Sequence, residues 1–183
     1  FYCGSRALNF LADITNYVRI ELGQPMHAFD LATLAGSSIV VRRANEGETL
    51  QLLNDKELAL STDDLVIADA EGAVALAGVM GGAKDSVLPE TESVILEVAN
   101  FESRGVRRTA LRYDNRTEAS SRYEKAIDPE RCDQALSLCM QLFAELYPEM
   151  KVTAFRDLYP NKLVRKEIDV ELSWLDRRLG MRI

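Results

Sequence analysis

Residues 64–82 read DLVIADAEGAVALAGVMGG. Two apolar runs flank Glu71-Gly72, and the second leads into Gly78, Gly81 and Gly82. Runs this short, punctuated by glycine, read as strands rather than helices. The pattern continues upstream. SSIVVRRA (37–44) reads as a strand, and EGETLQLLNDKELAL (46–60) as a hairpin turning at Asn54 and Asp55. Downstream, ESVILEVANF (92–101) is a further strand with Val94, Leu96 and Val98 on one face.

Helical patterns bracket these strands. Residues 6–22 carry Ala7, Leu11, Ile14, Val18 and Leu22 at three- and four-residue steps, with Gly23 and Pro25 as stop signals. From Glu102 onward the pattern is helical again. Ser121 with Glu124 reads as a capping box. Asp128-Pro129 reads as a cap followed by a first-turn proline, ahead of a stripe of Ala135, Leu138, Cys139, Leu142 and Leu146. Residues 150–158 suggest one more strand, YPNKLVRK (159–166) a linker, and 167–183 a strand giving way to a helical step. A helix, a run of strands and then helices predict an α+β fold, with a central, largely antiparallel or mixed sheet flanked by helices. The expected division is a main module at 1–160, then a linker and the start of a following domain at 161–183.

The chain has 183 residues, of which 47% are apolar and 28% charged, and a net charge of −7. That composition argues against general disorder. No apolar run is long enough to span a membrane, and no secretory leader opens the chain. The opening on Phe1 and the close on RRLGMRI read as a piece of a longer protein. Cys3, Cys132 and Cys139 are an odd number with no close pair, which reads as free thiols in a reducing compartment. With one histidine and no Cys-x-x-Cys, the usual zinc spacings are missing.

Four features carry chemistry. GVMGGAKDS (78–86) places glycines after an apolar strand, where backbone can approach a ligand; its spacing is not that of a phosphate loop, and a tight turn is the commoner meaning. Glu97 interrupts an apolar strand, and alternation alone favours a solvent-facing carboxylate over one in a pocket. Arg104, Arg108, Arg112 and Arg116, with Arg107 and Arg122 nearby, form a basic stripe that meets phosphates or, more commonly, surface carboxylates. His27, in GQPMHAFD (23–30), is the only histidine; after a proline it is more often a turn residue than a catalyst, and no G-x-S-x-G accompanies it.

Taken together, several stretches resemble one family. DITNYVRIELGQPMHAFDL (13–31), EGETLQLL (46–53), ALAGVMGG (75–82), VILEVANF (94–101), RRTALRYDNRTEASSRYEKAIDPE (107–130) and the closing LDRRLGMRI are similar, in this order, to the β subunit of bacterial phenylalanyl-tRNA synthetase. The matching region is that subunit's central editing module. The resemblance implies hydrolysis of tyrosine misacylated onto phenylalanine tRNA. Tyrosine is phenylalanine plus one hydroxyl, and a site built to hydrogen-bond that hydroxyl rejects the analogue lacking it by roughly 10⁴–10⁵.

The resemblance also implies roles. Glu97 accepts a hydrogen bond from the tyrosine hydroxyl, and Gly81 adds backbone contact and room for the ring. His27 and Arg6 hold the aminoacyl ester, the terminal adenosine and the attacking water. Thr117 and Ala119 line the pocket. Editing needs no metal or other cofactor; ATP and magnesium serve only the complete synthetase. The implied partners are aminoacylated phenylalanine tRNA and the synthetase α subunit in a heterotetramer, with no membrane, in the cytoplasm. The competing readings are a non-catalytic tRNA- or subunit-binding module of the same fold and a freestanding editing protein acting in trans.

Overall fold

The computed structural model describes residues 8–84, 86–164 and 167–182. It divides into two compact units, one ending at Met150 and the other beginning at Lys151.

The first unit is α+β. Helix α1 spans Phe10–Leu22. Asn9 starts it, its side chain accepting from the Ala12 amide at 2.8 Å. Gly23, at φ 73°, ends it, returning its N–H to the Arg19 carbonyl. The chain then enters β1 (His27–Asp30). Strands β2 (Val40–Arg43), β3 (Thr49–Gln51), β4 (Glu57–Ala59), β5 (Leu65–Ala68), β6 (Ala73–Leu76), β7 (Met80–Gly81) and β8 (Val94–Glu97) follow.

All the strand pairs are antiparallel, as expected, and fall into three sheets: β1–β8, β2–β5–β6–β7 and β3–β4. The β3–β4 hairpin turns where expected, with Asp55 in the left-handed region at φ 64°. The 64–82 stretch forms β5, β6 and β7, and Gly78, at φ 70°, makes the β6–β7 turn. A side chain at Gly78 would meet Val106 at 2.9 Å and Phe101 at 3.0 Å, so both turn geometry and packing require glycine there.

Helices α2 (Ser103–Arg112), α3 (Glu118–Tyr123) and α4 (Arg131–Leu146) complete the unit. The capping box of α3 is formed by Thr117 and Ser120 rather than Ser121 and Glu124. Thr117 is the last extended residue, so its hydroxyl meets the free amides; Ser121 is already one turn inside, its N–H bonded to the Thr117 carbonyl. Asp128 and Pro129 form a turn into α4, and the regular helix begins two residues past the proline.

Two cores meet at β8. The larger gathers Phe29, Leu50, Leu52, Val66, Ile67, Leu76, Phe101 and Val106, with Ile95 and Ala99 packed against it. The smaller joins Ile14 and Val18 of α1 to Ala135, Cys139 and Phe143 of α4, with Leu96 and Val98 against it. Strand alternation sends successive side chains of this segment to opposite cores. Cys139 lies in the smaller core as a free thiol, and Cys132 is half-buried on the same helix; Cys3 lies outside the described residues.

In the second unit, α5 spans Leu172–Leu179 and ends at Gly180, φ 70°. The strands expected at 150–158 and at the start of 167–183 do not form among the described residues. Neither segment has a strand to pair with, and an unpaired strand leaves its backbone groups unsatisfied. No helix of the described residues is long and apolar enough to cross a membrane.

Candidate functional site

Strand β1 begins at His27, so the histidine is a strand residue and not a turn residue. Its position follows from the α1 stop: Gly23 reverses the chain, Gln24 and Pro25 are buried, and the extended run starts two residues later. Across the antiparallel pair, His27 stands directly opposite Glu97, and Phe29 opposite Ile95. Directly opposed side chains share a face, with Cβ atoms about 4.5–5.5 Å apart. That face is the one Phe29 and Ile95 turn to the larger core. The solvent-facing reading of Glu97 is therefore overturned. Alternation predicts a wet face only where one side of a sheet is bare, and here both sides of β8 are covered.

The glycine stretch meets this pair. A Cβ on Gly81 would lie 2.5 Å from His27 Cε1 and 2.7 Å from Nε2. The Gly81 carbonyl is already bonded to the Leu53 amide at 3.1 Å. The Phe29 ring packs edge-on against the imidazole, with centroids 4.5 Å apart. Asp30 does not orient the histidine. It points to the other face, taking the Thr91 hydroxyl at 2.6 Å and the Ala32 amide at 2.8 Å.

Thr117 ties α3 to the same loop. Its hydroxyl donates to the Val79 carbonyl at 2.7 Å while accepting from the Ser120 amide. Ala119, two residues on, packs against the larger core. The structure thus brings His27, Glu97 and Gly81 together, and anchors Thr117 two residues upstream of Gly81. Arg6 lies outside the described residues.

Two residues not anticipated from the sequence hold the pair. Gln24 is fully buried, and its amide donates to the carbonyls of Pro25 (3.0 Å) and Ala99 (2.8 Å). The Tyr123 hydroxyl donates to the same two carbonyls, at 3.2 Å and 3.0 Å. Together they fasten the entry to β1 to the exit from β8. The Gln24 Oε1 atom is buried without a partner. Only its place in Gly-Gln-Pro, beside a helix stop, hints at burial.

Both polar side chains of the pair are half-buried and partly desolvated. Burial pushes the His27 imidazole down to about 4 and the Glu97 carboxyl up to about 7. The Tyr123 hydroxyl is pushed well above its ordinary value, first by burial and then by the nearby Glu97 charge. Near neutral pH the imidazole is uncharged, with one nitrogen free to accept and the other to donate. Glu97 is divided between acid and carboxylate. Among the described residues neither side chain has a hydrogen-bond partner. Two opposed, partly desolvated polar groups without protein partners are suited to a ligand that supplies those bonds.

Separate hollows lie elsewhere. One of about 400 Å³ is lined by residues that include Glu48, Asp69, Glu71 and Lys84. Its chemistry is already consumed. Glu48 is held by Arg42 and by the amides of Asn45 and Ala73, which bring its carboxyl down to about 2, and Asp69 caps the amides of Ala35, Glu71 and Gly72. Of the basic stripe, Arg112 pairs with Asp64, Arg116 with Glu124 and Arg122 with Glu118, so these three meet carboxylates of the chain itself. Among the described residues no three His, Cys, Asp or Glu side chains gather as a metal site.

Residues 1–148 match the family model described as the B3/4 domain. The chain is similar to proteins named phenylalanine–tRNA ligase beta subunit. It is 42% identical over 181 residues to that of Solibacter usitatus, covering 98% of this chain and 24% of the relative. For Oceanobacillus iheyensis the figures are 42%, 98% and 22%, and for Pectobacterium atrosepticum 42%, 97% and 22%. The chain spans about a quarter of the length of the curated relatives it matches.

Proposed function

The chain belongs to the B3/4 domain family, and we propose that it hydrolyses tyrosine wrongly esterified to phenylalanine tRNA, as the editing module of a phenylalanine–tRNA ligase β subunit. The observation that carries this reading is the direct opposition of His27 and Glu97, both half-buried and, among the described residues, both without a hydrogen-bond partner.

In this reading the tyrosine ring enters beside the His27 imidazole, which packs into the space a side chain at Gly81 would fill. Glu97 takes the phenolic hydroxyl. A desolvated acceptor discriminates strongly, because a substrate without the hydroxyl leaves it unpaired. His27, neutral at physiological pH, positions the ester and a water, with Arg6 assisting at the terminal adenosine. Water adds to the ester carbonyl carbon. The carbon–oxygen bond to the ribose then breaks, and the departing ribose oxygen regains a proton. An imidazole held down to about 4 is a weak general base, so the reading assigns it to placing water, with the neighbouring ribose hydroxyl assisting. Thr117 fixes the Gly81 loop through Val79, and Ala119 lines the pocket beside it. No metal is required. Residues 1–160 form the module, and 161–183 a linker and the start of a following domain. The partners are aminoacylated phenylalanine tRNA and the ligase α subunit, in the cytoplasm.

The test compares wild type and Glu97→Gln in the complete ligase on preformed tyrosyl- and phenylalanyl-tRNA. A hydrogen bond to a charged group contributes roughly 1.5–3 kcal/mol, so kcat/KM for tyrosyl-tRNA should fall by about one to two orders of magnitude. Slow hydrolysis of phenylalanyl-tRNA should hold or rise. Equal losses on both substrates would remove Glu97 from discrimination. Failure of the wild-type ligase to deacylate tyrosyl-tRNA would overturn the function.

A further inference from the structure

A second hollow, of about 240 Å³, is lined by Arg107, Ala110 and Leu111 of α2, by Arg116 and by Glu124 and Lys125 at the end of α3. Three cations stand there against one carboxylate, in a chain whose net charge is −7. Glu124 pairs with Arg116 and lies 3.9 Å from Lys125 Nζ, so it fastens two of the cations while leaving the hollow net positive. Arg107 has no carboxylate partner among the described residues. Between the charges Leu111 is 68% exposed, an apolar shelf inside a basic hollow.

We propose that this hollow binds a backbone phosphate of the same tRNA whose 3′ end enters the β1–β8 pair; the proposal rests on the editing reading. Guanidinium groups match phosphate oxygens in a planar fork, and neutralising backbone phosphates is the main source of RNA affinity. The cation heads are open to solvent, with Arg116 63% and Lys125 75% exposed. An open hollow suits an extended polyanion passing over it better than a small enclosed anion, and Leu111 offers its methyl groups to the adjoining ribose or base. Helix α3 connects the two places. Thr117 at its start is bonded to Val79, two residues before Gly81, and Glu124 and Lys125 stand at its end. Its six residues rise only about 9 Å, so a strand ending in the editing site lies within reach of the hollow.

The experiment measures binding of uncharged, fluorescently labelled phenylalanine tRNA to the 183-residue chain at several salt concentrations. Arg107→Gln with Lys125→Gln removes two cations and leaves the Arg116–Glu124 pair intact. Affinity should fall about tenfold or more, and the slope of log K against log salt should flatten by about 1–2. Arg43→Gln with Lys56→Gln, an equal charge loss outside the hollow, should change both much less. Equal effects of the two double variants, or no effect of the first, overturn the proposal. So does displacement of the tRNA by poly-glutamate as effective as by unlabelled tRNA, which would mark an acidic-protein site. Hydrolysis of 3′-O-tyrosyl-adenosine, which carries no backbone phosphate, keeps the two readings apart. If wild type and the hollow variant hydrolyse it equally while tRNA binding differs, both readings stand. If neither hydrolyses it but binding still differs, the editing reading fails and the phosphate site remains.

Discussion

Gly81 lies so close to the His27 ring that a single added methyl would approach Cε1 to 2.5 Å. Gly81 is not in the left-handed region, so the constraint is on space rather than backbone conformation. Gly81→Ala should displace the imidazole or the loop, at a cost of about 1–3 kcal/mol. Deacylation of tyrosyl-tRNA should fall at least tenfold while circular dichroism retains the wild-type spectrum. Retention of full activity would show that the approach of glycine to histidine is incidental. Gly82→Ala is the contrasting case: its Cβ would meet the Val74 carbonyl oxygen at 2.4 Å, which breaks the β6–β7 pairing and should lower Tm more than Gly81→Ala does.

If Glu97 reads the phenolic hydroxyl as proposed, the pH dependence of discrimination follows from it. Its carboxylate, the stronger acceptor for a phenol, is populated above about 7. The ratio of tyrosyl- to phenylalanyl-tRNA hydrolysis should therefore rise between pH 6 and pH 8 and level off above. In Glu97→Gln the ratio should be flat over the same range. A wild-type ratio that falls as pH rises would mean the protonated acid is the discriminating form.

The same group sets a trend in stability. The Glu97 carboxyl titrates near 7 in the fold and at the ordinary glutamate value of 4.5 when unfolded. Between those values the native state holds the extra proton, so stability falls as pH rises from about 4.5 to 7. Glu97→Gln removes this loss. In urea titrations it should gain on wild type progressively over that window and hold a constant advantage above it. His27 acts oppositely: its imidazole, held down to about 4, disfavours the fold as pH drops below 6.5.

Asp64 is fully buried and receives the Thr109 hydroxyl at 2.9 Å, Arg112 Nη1 at 2.6 Å, the Ser61 amide at 2.9 Å and the Tyr113 hydroxyl. Removing one member of such a network leaves the others desolvated and unpaired. Asp64→Ala should cost about 3–5 kcal/mol in chemical denaturation. A loss below about 1 kcal/mol would show that water replaces the carboxylate without penalty.

The strand-rich middle of the chain was legible because its elements declare themselves locally: the Asn54-Asp55 turn, the Gly78 turn and the Gly23 stop each depend on few neighbours. The failures were non-local. Glu97 read as solvent-facing because alternation cannot reveal that α1 and α4 cover the far side of β8. Residues 150–158 alternate well enough for a strand, but pairing needs a partner that a single segment does not disclose. Ser121 and Thr117 are both plausible caps, and only the backbone conformation at 117 decides between them. Of the candidate site, motif resemblance supplied His27, Glu97 and Gly81. It did not supply Gln24 or Tyr123, whose importance lies in carbonyls distant in sequence.

Because both faces of β8 pack against apolar cores, burial alone holds its alignment weakly. A slip of one residue would bring Leu96 or Val98 opposite His27 and still bury hydrophobic side chains on each side. The alignment is instead pinned by polar contacts at the two ends of the pair. At one end the Leu31 amide meets the Ser93 carbonyl at 2.9 Å. At the other, Gln24 and Tyr123 grip the Ala99 carbonyl. These ends work as a ruler, and what they measure out is the placement of the one carboxylate of β8 against the one imidazole of the chain.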